Sequence, residues 1–288
     1  MPELRIDPLT GDKALIAGGR ATRPGAGLEV APVPPVDPET DPFLEGHEDR
    51  TPPEVWARRP RGGAPDGPGW TVRAVPNLYP ALEPGAAAPP AEAQPGLFAA
   101  QAAEGAHEVI VNSPRPVATL LELGAEGVAV ALEAWRERLR AHAPASAVHL
   151  MINERREAGS SLPHTHAQLY AMEFVPHPIA RERERFSAHA VRTMGGNLLQ
   201  DLVQEEVRRR ERLVAVDDEA VAFTAYAGRA PYQLLIAPRR PRPRFEDDGP
   251  LGAALLHDCL RRLAAVLGAS PPLNLWVRTA PRGAEHFC

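Results

Sequence analysis

The chain has 288 residues, a net charge of −5, 44% apolar residues and only 5% aromatics. That length admits two domains of ordinary size. The charge, with no basic stripe interleaved with aromatics, argues against nucleic acid as a partner. Two cysteines, Cys259 and Cys288, cannot build a disulfide framework, which points to a reducing compartment. No basic-then-apolar leader and no run of 18 apolar residues is visible, so the expectation is a cytoplasmic protein without a membrane partner.

The first hundred residues are rich in Pro and Gly. Stretches 32–42 and 86–95 read as irregular surface segments, with an extended candidate at Trp70–Val75 between them. His107–Asn112 (HEVIVN) reads as a strand. Thr119–His142 reads as a helix in spite of Gly124 and Gly127. Val148–Asn153 reads as a strand and His164–Met172 as the next. Asn197–Arg212 follows as a charged amphipathic helix, then strands at Ala220–Ala225 and Tyr232–Ala237. A helix at Gly252–Leu267 and a strand at Leu273–Val277 complete the series.

This order repeats itself. HEVIVNSPRP, helix, VHLMIN parallels YQLLIAPRRP, helix, LNLWV. The expected class is therefore α+β, with antiparallel sheets and flanking helices in two similar units, residues 1–176 and 177–288. The second copy stops at Glu285-His286-Phe287-Cys288, where the first continues into His164–Met172. The second unit is accordingly expected to be incomplete.

The segment richest in chemistry is Asn153–Gln168, NERREAGSSLPHTHAQ. If 164–168 is extended, His164, His166 and Gln168 share one face. An imidazole there can attack phosphorus and leave again, because its neutral form is nucleophilic and its protonated form stabilises departure. Gln168 can donate a hydrogen bond to a phosphoryl oxygen as charge develops. The Gly159-Ser160-Ser161 turn puts small residues where a phosphate approaches backbone N–H groups. Taken alone, His-x-His also suits a metal pair or two surface histidines.

The whole segment resembles the active-site signature of the galactose-1-phosphate uridylyltransferase family of the histidine-triad superfamily. That signature reads Asn, a Gly/Ser-rich turn, His-Pro-His, any residue, Gln; here Asn153, Gly159, Ser161, Pro163, His164, His166 and Gln168 fit. Leu4–Pro24 is similar to the family's opening strand and Arg-containing loop. Asp41–Glu54 is similar to the segment that usually begins Cys-Pro-Phe-Cys, and Val72–Leu82 to the nucleotide-side loop. The resemblance implies two histidine-triad-like units and ping-pong transfer from UDP-glucose to a hexose 1-phosphate in galactose metabolism. His166 would be the nucleophile, with Ser161 and Gln168 holding phosphate oxygens. Asn77 and Asn153, with the Gly159 and Ser160 turn, would contact nucleotide and phosphates, and Arg20 and Arg23 would be phosphate contacts from the opening loop. The implied partners are a nucleotide sugar and a sugar 1-phosphate, and a homodimer is the possible assembly.

The chain departs from the pattern at two places. Thr165 replaces the middle proline. The zinc positions that the resemblance implies fall on Asp41, Leu44, Pro116 and His164, of which only His164 is a conventional ligand. No cofactor is therefore expected, and zinc only if another side chain substitutes. Two other functions fit the same machinery: an ADP-sugar or dinucleoside-polyphosphate phosphorylase or adenylyltransferase, and a non-catalytic nucleotide-binding relative.

Overall fold

The computed structural model describes residues 2–22, 28, 30–89, 98–247, 249 and 251–284, without the side chains of residues 21 and 22. In chain order, a hairpin of β1 (Glu3–Ile6) and β2 (Lys13–Ile16) opens the chain. Then come β3 (Trp56–Arg58), β4 (Val72–Pro76), β5 (Gly105–Val111), α1 (Leu120–Ala141), β6 (Ala147–Glu154) and β7 (His166–Met172). Two helices follow, α2 (His177–Thr193) and α3 (Leu198–Arg209). The remaining elements are β8 (Leu213–Val216), β9 (Ala220–Thr224), β10 (Leu234–Pro238), α4 (Ala253–Leu267) and β11 (Leu273–Val277). The architecture is α+β with antiparallel sheets and flanking helices, as the alternation of patterns implies. The terminal Glu285–Cys288 lies outside the described residues.

The main sheet has six strands in the order β11-β6-β7-β5-β4-β3, all antiparallel. Its strands alternate strictly. Val72, Ala74, Ile110, Leu150, Ile152, Ala167 and Leu169 face α1 and form the main core with Leu132, Trp135 and Leu139. Side chains at the intervening positions point to the opposite face. There Val75, Val109 and Val111 pack with Phe43 and Trp70 in a smaller cluster. One face of the sheet is thus covered by a helix and the other carries the polar side chains of interest.

Helix α1 starts where its chemistry permits. Thr119 is the N-cap; its hydroxyl accepts from Glu122 N–H at 3.3 Å, while the Glu122 carboxylate accepts from Ala118 N–H at 3.0 Å. The helix is not continuous, contrary to the reading through Gly124. That residue has φ 72° and ψ 173°, a conformation open to glycine and strained for other residues, and it breaks the first turn from the remainder.

The segment after residue 177 is not self-contained. β8, β9 and β10 form their own three-stranded sheet. β11, however, pairs with β6 of the main sheet, Leu273 opposite Glu154 and Trp276 opposite Met151. Leu256 and Leu260 of α4 sit in the same core as α1. Among the described residues no helix is long and apolar enough to cross a membrane.

Candidate active site

The open face of the sheet is built from strand register. β7 begins at His166 rather than His164, so His166, Gln168 and Tyr170 alternate onto this face. Opposite them on β5 stand Val111, Val109 and His107. On β6, Met151 and His149 stand opposite Gln168 and Tyr170. Asn77 follows β4 and donates its backbone N–H to His107 O at 2.9 Å, which holds it beside the same face.

His166 is 7% exposed, and its ring stands edge-on to Phe43 with centroids 5.2 Å apart. Its Nδ1 lies 2.7 Å from the backbone carbonyl of His164. A carbonyl oxygen only accepts, so Nδ1 carries the proton and Nε2 keeps a free lone pair. Burial is the largest influence on this imidazole and holds it below its usual pKa, in the neutral form. The result is a buried, tautomerically fixed, nucleophilic nitrogen.

His164 stands just before the strand, with a different environment. Its Nδ1 donates to Asp41 Oδ2 at 2.6 Å and its Nε2 to Ser113 O at 2.9 Å, and both partners are deeply buried. It does not join His166 as a second open imidazole, as a strand starting at 164 would require. The positions that the resemblance assigns to zinc do not fit the ion. Leu44 and Pro116 offer no donor atom, and both ring nitrogens of His164 are engaged. Among the described residues no three His, Cys, Asp or Glu side chains cluster as a metal site would need. His47, near the same loop, points its Nδ1 at Asp41 O, 2.7 Å away.

The other expected side chains divide into those at the face and those away from it. Asn153, on β6 one residue beyond the described β6–β7 pairs, accepts from Asn274 of β11 at 2.7 Å. Gly159 turns the chain with φ 92°, and the Ser160 hydroxyl donates to Leu162 O at 2.6 Å. Ser161 is exposed on that turn. Arg20 sits exposed on the short turn Gly18–Thr22, and no hydrogen bond joins it to the histidine face. Arg23 lies outside the described residues. Two polar side chains at the face, Tyr170 and Asn274, have no role in the sequence reading, and His107 enters it only, with His47, as a substitute zinc ligand. Period-2 alternation along HEVIVN places His107 with Val109 and Val111, but nothing local to it reveals the Tyr170 ring across the strand pair. A wide apolar cleft of about 610 Å3 among α4, β10 and β11 includes Asn274 in its lining, but His166, Gln168, Asn77 and His107 do not line it.

An antiparallel sheet presenting a carbonyl-pinned histidine and a carboxamide two residues on is an arrangement of the histidine-triad type. Residues 1–176 match the family model described as galactose-1-phosphate uridyl transferase, N-terminal domain, and the chain belongs to that family of nucleotidyltransferases. The ADP-glucose phosphorylase of Arabidopsis thaliana is 25% identical, over 97% of this chain and 79% of its own length. The galactose-1-phosphate uridylyltransferase of Rattus norvegicus is 27% identical, over 98% and 73%. Among solved structures, the Arabidopsis ADP-glucose phosphorylase with bound ADP-glucose superposes with a TM-score of 0.77 at 24% identity, covering 98% of this chain and 83% of that one.

Proposed function

We propose that the protein transfers a nucleotidyl group from a nucleotide sugar to a phosphorylated acceptor through a covalent His166 intermediate. UDP-glucose would be the donor and a hexose 1-phosphate the acceptor. The observation that carries this reading is the 2.7 Å contact between His166 Nδ1 and His164 O, which leaves Nε2 unprotonated on the open face.

His166 Nε2 attacks the α-phosphorus, the bond to the bridging oxygen breaks, and the sugar 1-phosphate leaves with that bond's electrons. A uridylyl–Nε2 bond has formed, and the positive charge on the ring is shared through Nδ1–H with the His164 carbonyl. The acceptor phosphate then attacks phosphorus from its own oxygen, the P–N bond breaks, and Nε2 regains its lone pair. No net proton transfer is required. Gln168 serves both steps by donating to a phosphoryl oxygen, and Asn77 and Asn153 hold the nucleotide and phosphates. Ser161 would add its hydroxyl if the Gly159 turn closes over the ligand, with Ser160 supporting that turn through Leu162 O.

A second reading, an ADP-glucose phosphorylase, is supported by the similarity to the Arabidopsis enzyme, 25% identical over 97% of this chain. It uses the same first half-reaction with another base, and inorganic phosphate as acceptor. Intact-mass spectrometry after incubation with UDP-glucose and, separately, ADP-glucose tests both. The expected result is one nucleotidyl adduct on the native protein and none on His166→Ala, since loss of a nucleophile costs far more than loss of one donor, at about 10²–10³ in rate. The adduct's mass identifies the base. A full-size adduct on His166→Ala would overturn the assignment.

A further inference from the structure

We propose that His107, with Tyr170, is a positioning residue that locks the Gln168 carboxamide so that its N–H bonds face the transferring phosphate. The inference rests on the nucleotidyl-transfer reading above and adds to it the element that aims its charge-stabilising donor.

The argument begins at Ala81. Its backbone N–H donates to His107 Nδ1 at 3.1 Å. A backbone N–H has no other role available, so Nδ1 is the unprotonated nitrogen of the ring and the single ring proton sits on Nε2. Burial acts in the same direction, holding the His107 imidazole below its usual pKa. Nε2 lies 3.0 Å from Gln168 Oε1, and Nε2–H therefore donates to the carboxamide oxygen. The Tyr170 hydroxyl donates to the same oxygen at 3.0 Å. Both lone pairs of Gln168 Oε1 are then used.

A carboxamide can flip by 180° about its last bond, which exchanges an acceptor for two donors. Here the flip is opposed. The reversed amide would put N–H bonds against the Nε2–H of His107, which cannot become an acceptor while Ala81 holds Nδ1. The hydroxyl of Tyr170 rotates freely and follows whichever partner it meets; the imidazole does not. His107 is itself held in place. It stands directly opposite Tyr170 across the β5–β7 pair, and the two rings stack with centroids 4.1 Å apart. Asn77 Nδ2 is 3.1 Å from His107 Nε2, and its own Oδ1 accepts from Tyr79 N–H at 2.8 Å. With Nδ1 accepting from Ala81 and the Nε2 proton directed at Gln168, Nε2 does not accept from Asn77, and these two donors meet without a hydrogen bond.

Two measurements test this. The tautomer is read without any activity, from long-range proton–nitrogen correlation spectra of histidine-labelled protein. The expected result is a neutral His107 protonated at Nε2, and a proton on Nδ1 would overturn the proposal whatever the enzyme's substrate. The second measurement is single-turnover formation of the nucleotidyl adduct in Tyr170→Phe, which keeps the stacked ring, and in His107→Ala, each with and without Gln168→Ala. Each single substitution is expected to lower the rate about tenfold, less than the 10²–10³ that outright loss of a donor costs. In the Gln168→Ala background neither should lower it further. Losses that multiply in the double variants would show that His107 and Tyr170 act independently of Gln168, and would overturn the proposal. Absence of any adduct on the native protein would instead count against nucleotidyl transfer, and the tautomer measurement would still decide the positioning claim.

Discussion

Thr165 shows how a departure from a family pattern is absorbed. Its hydroxyl donates to Glu154 Oε1 at 3.3 Å and accepts from Asn112 Nδ2 at 3.2 Å; Asn112 Oδ1 accepts in turn from Trp135 Nε1 at 2.9 Å. The residue that replaces proline is one link in a buried polar chain beneath the histidine strand. Glu154 ends that chain. Its Oε1 also accepts from Leu120 N–H at 2.5 Å, at the start of α1, while Oε2 is buried without a hydrogen-bond partner among the described residues. Burial pushes this carboxyl from 4.5 up to about 8. A raised carboxyl pKa means that folding favours the neutral acid. Its contribution is fully present below pH 4.5 and is lost progressively as pH rises to about 8, because the unfolded chain ionises first. Glu154→Gln, which mimics the neutral acid, should match the native protein at pH 4.5 and exceed its stability at pH 8.5. Denaturant unfolding at several pH values checks this; an equal pH slope in both proteins would exclude Glu154 as the cause.

At the scale of elements, the segment from Asp41 to Arg50, whose regular structure is one 3-10 turn at Glu48–Arg50, must be held against the sheet. Asp41 does this through its side chain, bonded to His164, and through its carbonyl, beside the His47 ring. Glu48 adds a bond from Trp70 Nε1 at 2.7 Å and Phe43 packs beneath His166. We propose that these contacts do the work that the family resemblance assigns to zinc. Purified protein is expected to hold well below one zinc per chain, with an unfolding midpoint insensitive to chelators. Asp41→Ala, which leaves the buried His164 Nδ1 without its acceptor, should cost about 3 kcal/mol. Stoichiometric zinc together with a large fall in midpoint on chelation would show that another ligand set exists.

At the scale of the whole molecule, the two halves of the sequence are tied by more than a linker. β11 extends the main sheet through β6, and α4 packs into the core under α1. Cooperative unfolding follows from such shared burial. Tryptophan fluorescence and far-ultraviolet circular dichroism should report coincident transitions. Leu275→Ala, on β11 against that core, should lower the single midpoint by about 1–2 kcal/mol rather than create a second transition. Two separated transitions would show that residues 177–288 fold apart from the main sheet.

Local pattern made much of this legible. The strands around HEVIVN and VHLMIN, the helix from Thr119 and the signature His164-Thr165-His166 with Gln168 could be read because alternation, capping and motif spacing are properties of neighbouring residues. The same holds for the choice of His166 and Gln168, which lie two apart on one strand. The sequence by itself therefore determined the α+β class, the main elements, the family and the strand face that His166 and Gln168 share. Tertiary structure alone decided which side chains converge there. Asp41 reaches His164 across 123 positions, Asn274 reaches Asn153 across 121, and His107 reaches Gln168 across 61. These contacts are made by strand pairing and loop closure, whose partners lie too far apart in the chain for any local pattern to record. The tautomer of His107, set by the backbone of Ala81, is the clearest instance: no residue type encodes it, because a backbone N–H is common to every position except proline and only the fold aims it.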